Sequence, residues 1–408
     1  MSRPQSLSAW TATVSMHLPH LSRPQLVVLA AWSWAMVLTQ SAGRTAVGAR
    51  LASIWDQSES TVRQRLREWT YEAGAKKGAK RIDLAVRTCF APLLRWVLTY
   101  WPASDAHLAL VLDATSLRDR CTVLAVSVVY RGCAIPVAWT VVEANSKGAW
   151  KPHWLAMLVE LDGVLPAGWT VLVLADRALY ARWLYRRIVA NGWHPFLRIQ
   201  RQGFCRRADQ AHWHDLRTLL AGPDTAWSGA VTCFKNKEGG LECTLLARWE
   251  VGYRDPWLIV TDLAAEEADA AWYGLRSWIE AGFKDVKRGG WHWEQTKLQK
   301  PERIARHWLV LAVATLWVAS VGGDAEATGP VSGLEALPEL HIARRTCQGR
   351  SQARLLSCFR RGVVRILAGV VRGVAVAMGN FWPEPWPTRE AAGGLEIMDL
   401  AAREALAA

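Results

Sequence analysis

The chain lacks the cysteine spacing of a metal or disulfide framework. Its eight cysteines, among 408 residues, include no C-x-x-C pair and no histidine at zinc-finger spacing. We therefore expect neither structural zinc nor disulfides, and a reducing cytoplasm fits best. MSRPQSLSAW at the start has no basic region followed by an apolar core, so no secretion signal is expected. The longest apolar runs, 26–38 and 308–321, are shorter than the roughly 20 residues that span a bilayer, which predicts core helices and no membrane segment.

The chain also has fewer acidic than basic side chains. The sequence holds 36 Asp and Glu against 49 Lys and Arg, which gives a formal net charge of +13, and the basic residues recur along most of the chain. This excess favours a polyanionic partner, with nucleic acid the first candidate, although a soluble protein can be basic for no such reason. Hydrophobic residues make up 51% of the chain, enough for a large core and for two or three domains.

Residues 1–95 predict a helical DNA-binding domain. Apolar residues recur at helical spacing, and the segment 44–69 reads as a helix, a polar turn with Ser58 or Ser60 as the cap, and a second helix. In a helix-turn-helix this second helix would offer Arg63, Arg65 and Arg67 to DNA. The alternative is an ordinary pair of bundle helices, because polar turns between amphipathic helices are common.

The rest of the chain predicts an α/β domain and a C-terminal segment. Strands and helices in the order β-β-β-α-β-α-β begin near residue 105, and 201–263 predicts a β-rich insertion before two further helices that end near 320. Residues 321–408 predict a linker, a basic C-terminal helix and a loose tail.

Two aspartates stand where apolar strands are expected to end. Asp113 follows LALVL and Asp176 follows WTVLVLA, and in an α/β sheet the crevice beyond the carboxyl ends of the strands is the usual ligand site. Two neighbouring carboxylates repel each other unless a cation intervenes, which favours oxygen-ligated Mg²⁺. Taken singly, each aspartate could equally begin a turn or cap a helix.

The segment WYGLRSWIEAGFKDVKRGGW, 272–291, predicts the third carboxylate. Drawn as one α-helix at about 100° per residue, Tyr273, Arg276, Glu280 and Lys287 fall within an arc of about 60°, beside the apolar stripe, whereas Asp285 lies well away. An exposed face with ordinary charge pairs is the alternative. Three carboxylates suit two divalent ions and an in-line phosphoryl transfer, with the basic side chains holding the phosphodiester.

These residues together resemble the DDE transposases of bacterial insertion sequences. Asp113, Asp176 in VLADRALY, and the spacing Tyr273-x2-Arg276-x3-Glu280-x6-Lys287 are similar to the insertion-sequence-four type with its Y-R-E-K signature, over roughly 105–320. The resemblance implies a ribonuclease-H-like catalytic core with a β-rich insertion. It also implies cut-and-paste transposition, with metal-dependent cleavage at the element's terminal inverted repeats and attack of the freed 3′-hydroxyl on target DNA.

The same resemblance implies roles for individual residues. Asp113, Asp176 and Glu280 would bind two Mg²⁺ ions, for which Mn²⁺ could substitute, and Tyr273, Arg276 and Lys287 would contact DNA. Such enzymes act as homodimers on paired ends, and a tryptophan of the insertion receives a flipped base. The candidates for that tryptophan here are Trp227, Trp249 and Trp257. The basic C-terminal helix could serve either dimerisation or DNA binding.

Two other functions stay open. A non-catalytic DNA-binding protein, such as a repressor or a domesticated transposase, would keep the basic surface. A metal-dependent nuclease would cut DNA without joining it. A tyrosine recombinase is disfavoured, because Tyr273 shares a face with a predicted metal ligand and no Arg/His cluster accompanies it.

Overall fold

The computed structural model describes residues 4–77, 81–144, 150–235, 239–329, 343–347, 350–354 and 356–388. Within these ranges the chain forms ten α-helices and twelve β-strands. The helices are α1 (Gln5–His17), α2 (Arg23–Thr39), α3 (Arg44–Trp55), α4 (Glu59–Trp69), α5 (Phe90–Thr99), α6 (Lys151–Glu160), α7 (Arg182–Ala190), α8 (Ser277–Val286), α9 (Pro301–Thr328) and α10 (Cys358–Val371). The strands are β1 (His107–Leu117), β2 (Cys121–Tyr130), β3 (Cys133–Glu143), β4 (Thr170–Ala175), β5 (His194–Arg198), β6 (Phe204–Arg207), β7 (His214–Asp215), β8 (Thr225–Cys233), β9 (Leu241–Trp249), β10 (Trp257–Thr261), β11 (Ala343–Cys347) and β12 (Arg350–Arg354).

The five N-terminal helices share an apolar core with the sheet that follows them. Trp10 of α1 stacks on Trp317 of α9, with 4.2 Å between the ring centroids. Burial lowers the pKa of His307, also on α9, to about 4. The imidazole is therefore neutral at pH 7, and its Nε2 donates a hydrogen bond to the Ala42 carbonyl at 3.1 Å. One buried cluster joins these helices to the sheet, so the predicted N-terminal domain is packed against the rest of the chain.

Strands β1 to β5 form the centre of the sheet, in the order β3-β2-β1-β4-β5. Strands β1, β2 and β3 pair antiparallel, whereas β1, β4 and β5 run parallel. Every residue of β2 is buried, because the strand lies inside the sheet with both faces covered. This burial accounts for an apolar sequence without alternation. The predicted order β-β-β-α-β-α-β is confirmed.

The insertion continues the same sheet. Strand β10 pairs antiparallel with β5, and β9, β8, β6 and β7 follow, which makes ten strands in one sheet. The predicted β-rich stretch thus extends the sheet and does not form a separate layer. The sequence did not predict β6 and β7, since strands of four and two residues are too short to show a period of two.

Helix α9 is the long core helix of the fold. It spans 28 residues and is apolar enough to cross a membrane, but 94% of its most apolar window is buried inside the protein. The interpretation as a buried core helix is therefore confirmed. The linker predicted from residue 321 was wrong at its start, because α9 continues through Thr328. Its continuation is needed for packing: a Cβ on Gly322 would lie 1.9 Å from the Cys358 carbonyl oxygen of α10.

The C-terminal segment differs from the prediction at both ends. The predicted basic C-terminal helix is present as α10, and β11 and β12 form an antiparallel pair before it begins. The tail is not loose as far as residue 388. Phe381 is 1% exposed and its N–H donates to the Tyr100 carbonyl at 2.8 Å, while Trp382 Nε1 donates to Asp324 at 3.0 Å. The buried ring of Phe381 and these hydrogen bonds therefore hold the tail against the protein.

Gly282 permits the close contact between α8 and the sheet. A Cβ at this position would lie 2.4 Å from the Cβ of Ala134 on β3 and 3.1 Å from its backbone nitrogen. Packing therefore requires glycine here, because a larger residue does not fit between α8 and β3.

We predict that Gly282→Ala destabilises the protein. Alanine favours the helix by about 1 kcal/mol, but overpacking typically costs about 1–3 kcal/mol and here the neighbour includes backbone. We expect a net loss of about 1–2 kcal/mol, measured by urea denaturation. Gly222→Ala is the matched control, because a Cβ there meets nothing within 4 Å. A Gly282→Ala protein at least as stable as wild type would contradict this contact.

Candidate active site

The register of two parallel strands places Asp113 beside Asp176. Leu112 pairs with Ala175 at the end of the parallel ladder between β1 and β4, and each aspartate is the next residue. The prediction that the first strand ends at Asp113 was wrong, because β1 continues to Leu117. Beyond Asp113 it pairs with β2 alone. The end of the shared ladder, and not the end of the strand, brings the two residues together.

Both aspartates point to the face of the sheet that carries α8. Side chains alternate between the faces of a strand, so residues two and four positions before each aspartate share its face. The apolar cluster under Ile279 of α8 contains those residues: Ala109, Val111, Leu172 and Leu174. The same alternation therefore directs both carboxylates toward the start of α8.

The helix that carries the third carboxylate is shorter than predicted. Ala270–Arg276 is a 3₁₀ helix and α8 begins only at Ser277. Asp269 caps the 3₁₀ helix by accepting the N–H of Ala271 at 2.8 Å. A 3₁₀ helix has three residues per turn, so Tyr273 and Arg276 lie one above the other. The prediction of one continuous α-helix was therefore wrong, but Tyr273 and Arg276 still lie on the same side of the segment.

The other end of α8 lies before Lys287. The helix ends at Val286, and two successive glycines turn the chain so that Gly289 N–H donates to the Lys284 carbonyl at 2.8 Å. A Cβ on Gly290 would lie 2.3 Å from the Asp285 carbonyl oxygen. Lys287 thus stands just outside the helix. Burial lowers the pKa of Lys287, and the negative charge of Glu294 opposes this shift.

Arg276 connects the three predicted carboxylates. Its Nη2 lies 3.0 Å from Asp113 Oδ2 and 3.6 Å from Asp176 Oδ2, and its Nη1 lies 2.9 Å from Glu280 Oε1. Its side chain is only 16% exposed, while that of Glu280 is 45% exposed. The structure therefore brings Asp113, Asp176, Glu280 and Arg276 to one point, which we call the carboxylate site.

A backbone N–H donates a hydrogen bond to the Oδ1 atom of each aspartate. Ala114 N–H donates to Asp113 Oδ1 at 2.7 Å, and Ala178 N–H donates to Asp176 Oδ1 at 2.8 Å. The Oδ2 atoms are left to face the guanidinium. Burial raises the pKa of Asp113, although Arg276 and the Ala114 amide oppose the rise. An arginine in this position offsets the repulsion and burial that would otherwise disfavour the charged carboxylates.

The carboxylate site has the donor chemistry for a hard divalent ion, but Arg276 lies between the donors. In the part of the chain that the structure describes, no three Asp, Glu, His or Cys side chains are arranged to hold a metal as they stand. Carboxylate oxygens are the ligands that Mg²⁺ prefers. A cation is already present among them in the form of the guanidinium. The residues therefore fit a divalent ion on condition that Arg276 moves aside.

Tyr273 lies beneath the carboxylate site. Its side chain belongs to the apolar cluster under α8, the residue is 5% exposed, and its hydroxyl donates to the Ala175 carbonyl at 3.4 Å. Burial raises its pKa, so the phenol stays neutral. Tyr273 therefore ties the 3₁₀ helix to the end of β4.

The three tryptophans singled out in the insertion lie in different surroundings. Trp257 contacts Tyr273, with 5.4 Å between ring centroids. Trp227 lies under Arg207 and Trp249 under Arg201, at 4.9 and 4.7 Å from guanidinium to ring. Among the three, Trp257 is the one that adjoins a residue of the signature.

Sequence reasoning missed the tail as a neighbour of the segment that carries the signature. Trp386 contacts Trp272, the residue before Tyr273, and His107 at the start of β1, with centroid distances of 5.0 and 5.1 Å. No periodicity marks Trp386, because it lies in a segment without helix or strand. For Arg276, the sequence indication of a contact with a carboxylate was its position four residues before Glu280.

The predicted DNA-contacting arginines of the N-terminal region lie on α4. Ser58 caps this helix by accepting the Thr61 N–H at 3.3 Å, as one of the two predicted caps. Arg63, Arg65 and Arg67 are all exposed. The stem of Arg63 fills the space beside Gly48 of α3, where a Cβ would lie 2.7 Å from its Cγ. The two helices are therefore in close contact, and the arginine heads remain accessible.

Asp285, which the helical wheel set apart, faces a different element. Burial raises its pKa to about 7, and the charge of Arg360 on α10 is the main opposing influence. Its carboxyl therefore lies on the α10 side of α8, away from the carboxylate site.

The titration of Asp285 predicts a pH dependence of stability. Its pKa is about 7 in the folded protein against an ordinary value of 3.8, so between these values the folded state binds more protons and loses stability as the pH rises. We expect wild type to lose on the order of 2–3 kcal/mol relative to Asp285→Asn between about pH 5 and about pH 8. Urea denaturation of both proteins across this range measures the difference. Parallel pH profiles would exclude a buried, proton-binding Asp285.

A comparison with family models gives one match for this chain. Residues 136–317 match the family described as the transposase DDE domain. This range contains Asp176 and Glu280 and begins after Asp113. No curated protein matches the chain. The match supports a DDE transposase, a class that implies DNA binding, divalent metal ions, and nuclease and transferase activity.

Proposed function

We propose that this protein is a transposase of the Y-R-E-K type. It would cut the ends of a mobile element and join the freed 3′-hydroxyl to target DNA by a cut-and-paste route. The observation that carries the proposal is the meeting of Asp113, Asp176 and Glu280, from β1, β4 and α8, around one cationic group. Residues that lie 63 and 104 positions apart in the chain have no reason to form such a repulsive group for stability alone.

The topology supports a ribonuclease-H-like core. An antiparallel β1-β2-β3 meander lies beside the parallel strands β4 and β5, and the two aspartates occupy neighbouring positions on β1 and just after β4. In this proposal, residues 105–320 form the catalytic domain, 201–263 its insertion, and 1–95 the DNA-binding domain.

The carboxylate site would hold two Mg²⁺ ions, or Mn²⁺ in their place. Bound there, the ions would activate the attacking oxygen and stabilise the departing one. Asp113 and Asp176 would present their Oδ2 atoms, because backbone amides already fix the other oxygens. Glu280, the most exposed of the three, would close the site from the helix side.

The basic residues would hold the phosphodiester beside the carboxylates. The fork of Arg276 suits a bidentate contact with a phosphate, and Lys287 at the end of α8 would act as a point charge. The buried hydroxyl of Tyr273 favours a positioning role, with Trp257 beside it as the candidate to receive a flipped base. By the same resemblance, two copies would act on paired ends in the cytoplasm, which light scattering of the protein–DNA complex would show as two chains per two ends.

We predict that Asp113→Asn, Asp176→Asn and Glu280→Gln each abolish cleavage. Purified protein, Mg²⁺ and a plasmid carrying the element's terminal repeats should give nicks at the ends, and each substitution should lower the rate roughly a hundredfold or more, because charge stabilisation of the transition state is lost. Asp285→Asn is the matched control on the same helix and should cut normally. Cleavage that survives in Glu280→Gln would overturn the assignment of the site.

The same assay separates the alternative functions. Joined products carrying target DNA identify a transposase, and cuts without joining identify a nuclease. The guanidinium among the carboxylates is also compatible with a non-catalytic DNA-binding protein. That protein would bind the terminal repeats and leave them uncut in the presence of either Mg²⁺ or Mn²⁺.

We predict that the α4 arginines contribute to DNA binding through phosphate contacts. Replacing Arg63, Arg65 and Arg67 together by alanine should weaken binding to the terminal repeats and lower the slope of log K against log salt by about 2–3, since each phosphate contact contributes about 0.9. Arg95→Ala, an exposed arginine on α5, is the control. Fluorescence anisotropy at several salt concentrations measures both. An unchanged slope would favour an ordinary helical bundle over a DNA-reading motif.

A further inference from the structure

The guanidinium of Arg276 occupies the position that a metal ion would need. It contacts one oxygen of each of Asp113, Asp176 and Glu280, at 3.0, 3.6 and 2.9 Å. For both aspartates the contacted atom is Oδ2, while Oδ1 accepts a backbone N–H. A metal ion bound to these oxygens would lie beside the guanidinium, and the two positive charges would repel each other. Arginine and metal therefore compete for the same oxygens.

Another anionic partner favours the departure of the arginine from the site. Its guanidinium cannot be deprotonated in a protein, so it carries its charge in every state. Its Nε is buried and makes no hydrogen bond with the described residues, so part of the fork is unsatisfied where it now lies. A phosphate diester offers two oxygens to such a fork.

We infer that Arg276 is the resident counter-ion of the carboxylate site in the DNA-free protein, and that DNA releases it to admit the metal. This rests on the proposed function. When a phosphate takes the guanidinium, three carboxylates remain without a counter-ion and bind divalent ions more strongly. By linkage, metal then strengthens DNA binding by the same factor. Metal binding, and with it cleavage, is thereby coupled to the presence of DNA.

Direct metal binding tests the exchange without any measurement of activity. Free Mn²⁺ is followed by electron paramagnetic resonance as the intact protein is added, with and without a duplex of the terminal repeat. For wild type we expect DNA to raise the Mn²⁺ affinity by roughly 5- to 150-fold, the range of typical couplings. Arg276→Gln should bind Mn²⁺ more tightly than wild type without DNA, and DNA should then add little.

Lys284→Gln is the matched charge control. It removes one positive charge from the same helix at an exposed position beside Asp285, outside the carboxylate site. It should leave both Mn²⁺ affinities as in wild type. An equal gain in Lys284→Gln and Arg276→Gln would overturn the inference, since any loss of charge would then suffice. DNA-free Arg276→Gln that binds Mn²⁺ no better than wild type would overturn it too.

Two further variants keep the outcome interpretable. Arg276→Lys retains the charge but cannot reach three carboxylates with one ammonium, so its Mn²⁺ affinity should lie between wild type and Arg276→Gln. This variant decides the matter if the glutamine protein does not fold. Asp113→Asn in the Arg276→Gln background should lose the added Mn²⁺ binding. If Asp113→Asn changes nothing in either background, the carboxylates are not a metal site and the proposed function itself fails.

Discussion

Three carboxylates in one partly buried cleft repel each other, and a single guanidinium offsets that repulsion. Arg276 makes its contacts to a strand interior, a strand end and a helix, and so joins elements that lie far apart in the chain. Charges near 3 Å from a guanidinium that is only 16% exposed interact with it more strongly than the same pairs on a surface. The geometry of the carboxylate site depends on this cation, whether the cation is the arginine or an ion that replaces it.

Strand pairing and the packing of α8 on the sheet position the residues of the carboxylate site. The parallel register of β1 with β4 sets the two aspartates side by side, and alternation turns both toward α8. Gly282 lets α8 approach β3 closely enough for Glu280 to reach the same cleft. Apolar packing therefore supplies the position, and the ion pairs act within a frame that packing has already built.

The same frame ties the regions of the chain together. Trp10 and His307 join the N-terminal helices to α9, and Trp386 of the tail lies against Trp272 beside the signature. Packed side chains therefore connect the first helices to the sheet that carries the carboxylate site. The sequence patterns divide the chain into three regions. In the structure one buried cluster spans all three, so the regions do not have separate cores.

The sequence by itself determined the order of strands and helices between residues 105 and 200, the candidate carboxylates, and the choice of Glu280 over Asp285. Periodicity and residue type are local properties, and they were sufficient for these. Only the tertiary structure decided that β1 passes beyond Asp113, that the insertion extends the sheet, that the tail packs, and that Arg276 bridges all three carboxylates. Each of these depends on contacts between distant segments, such as β2 with β1 or β10 with β5. A one-dimensional pattern does not encode such pairings, because the partner that completes the hydrogen bonds or fills the cavity lies elsewhere in the chain.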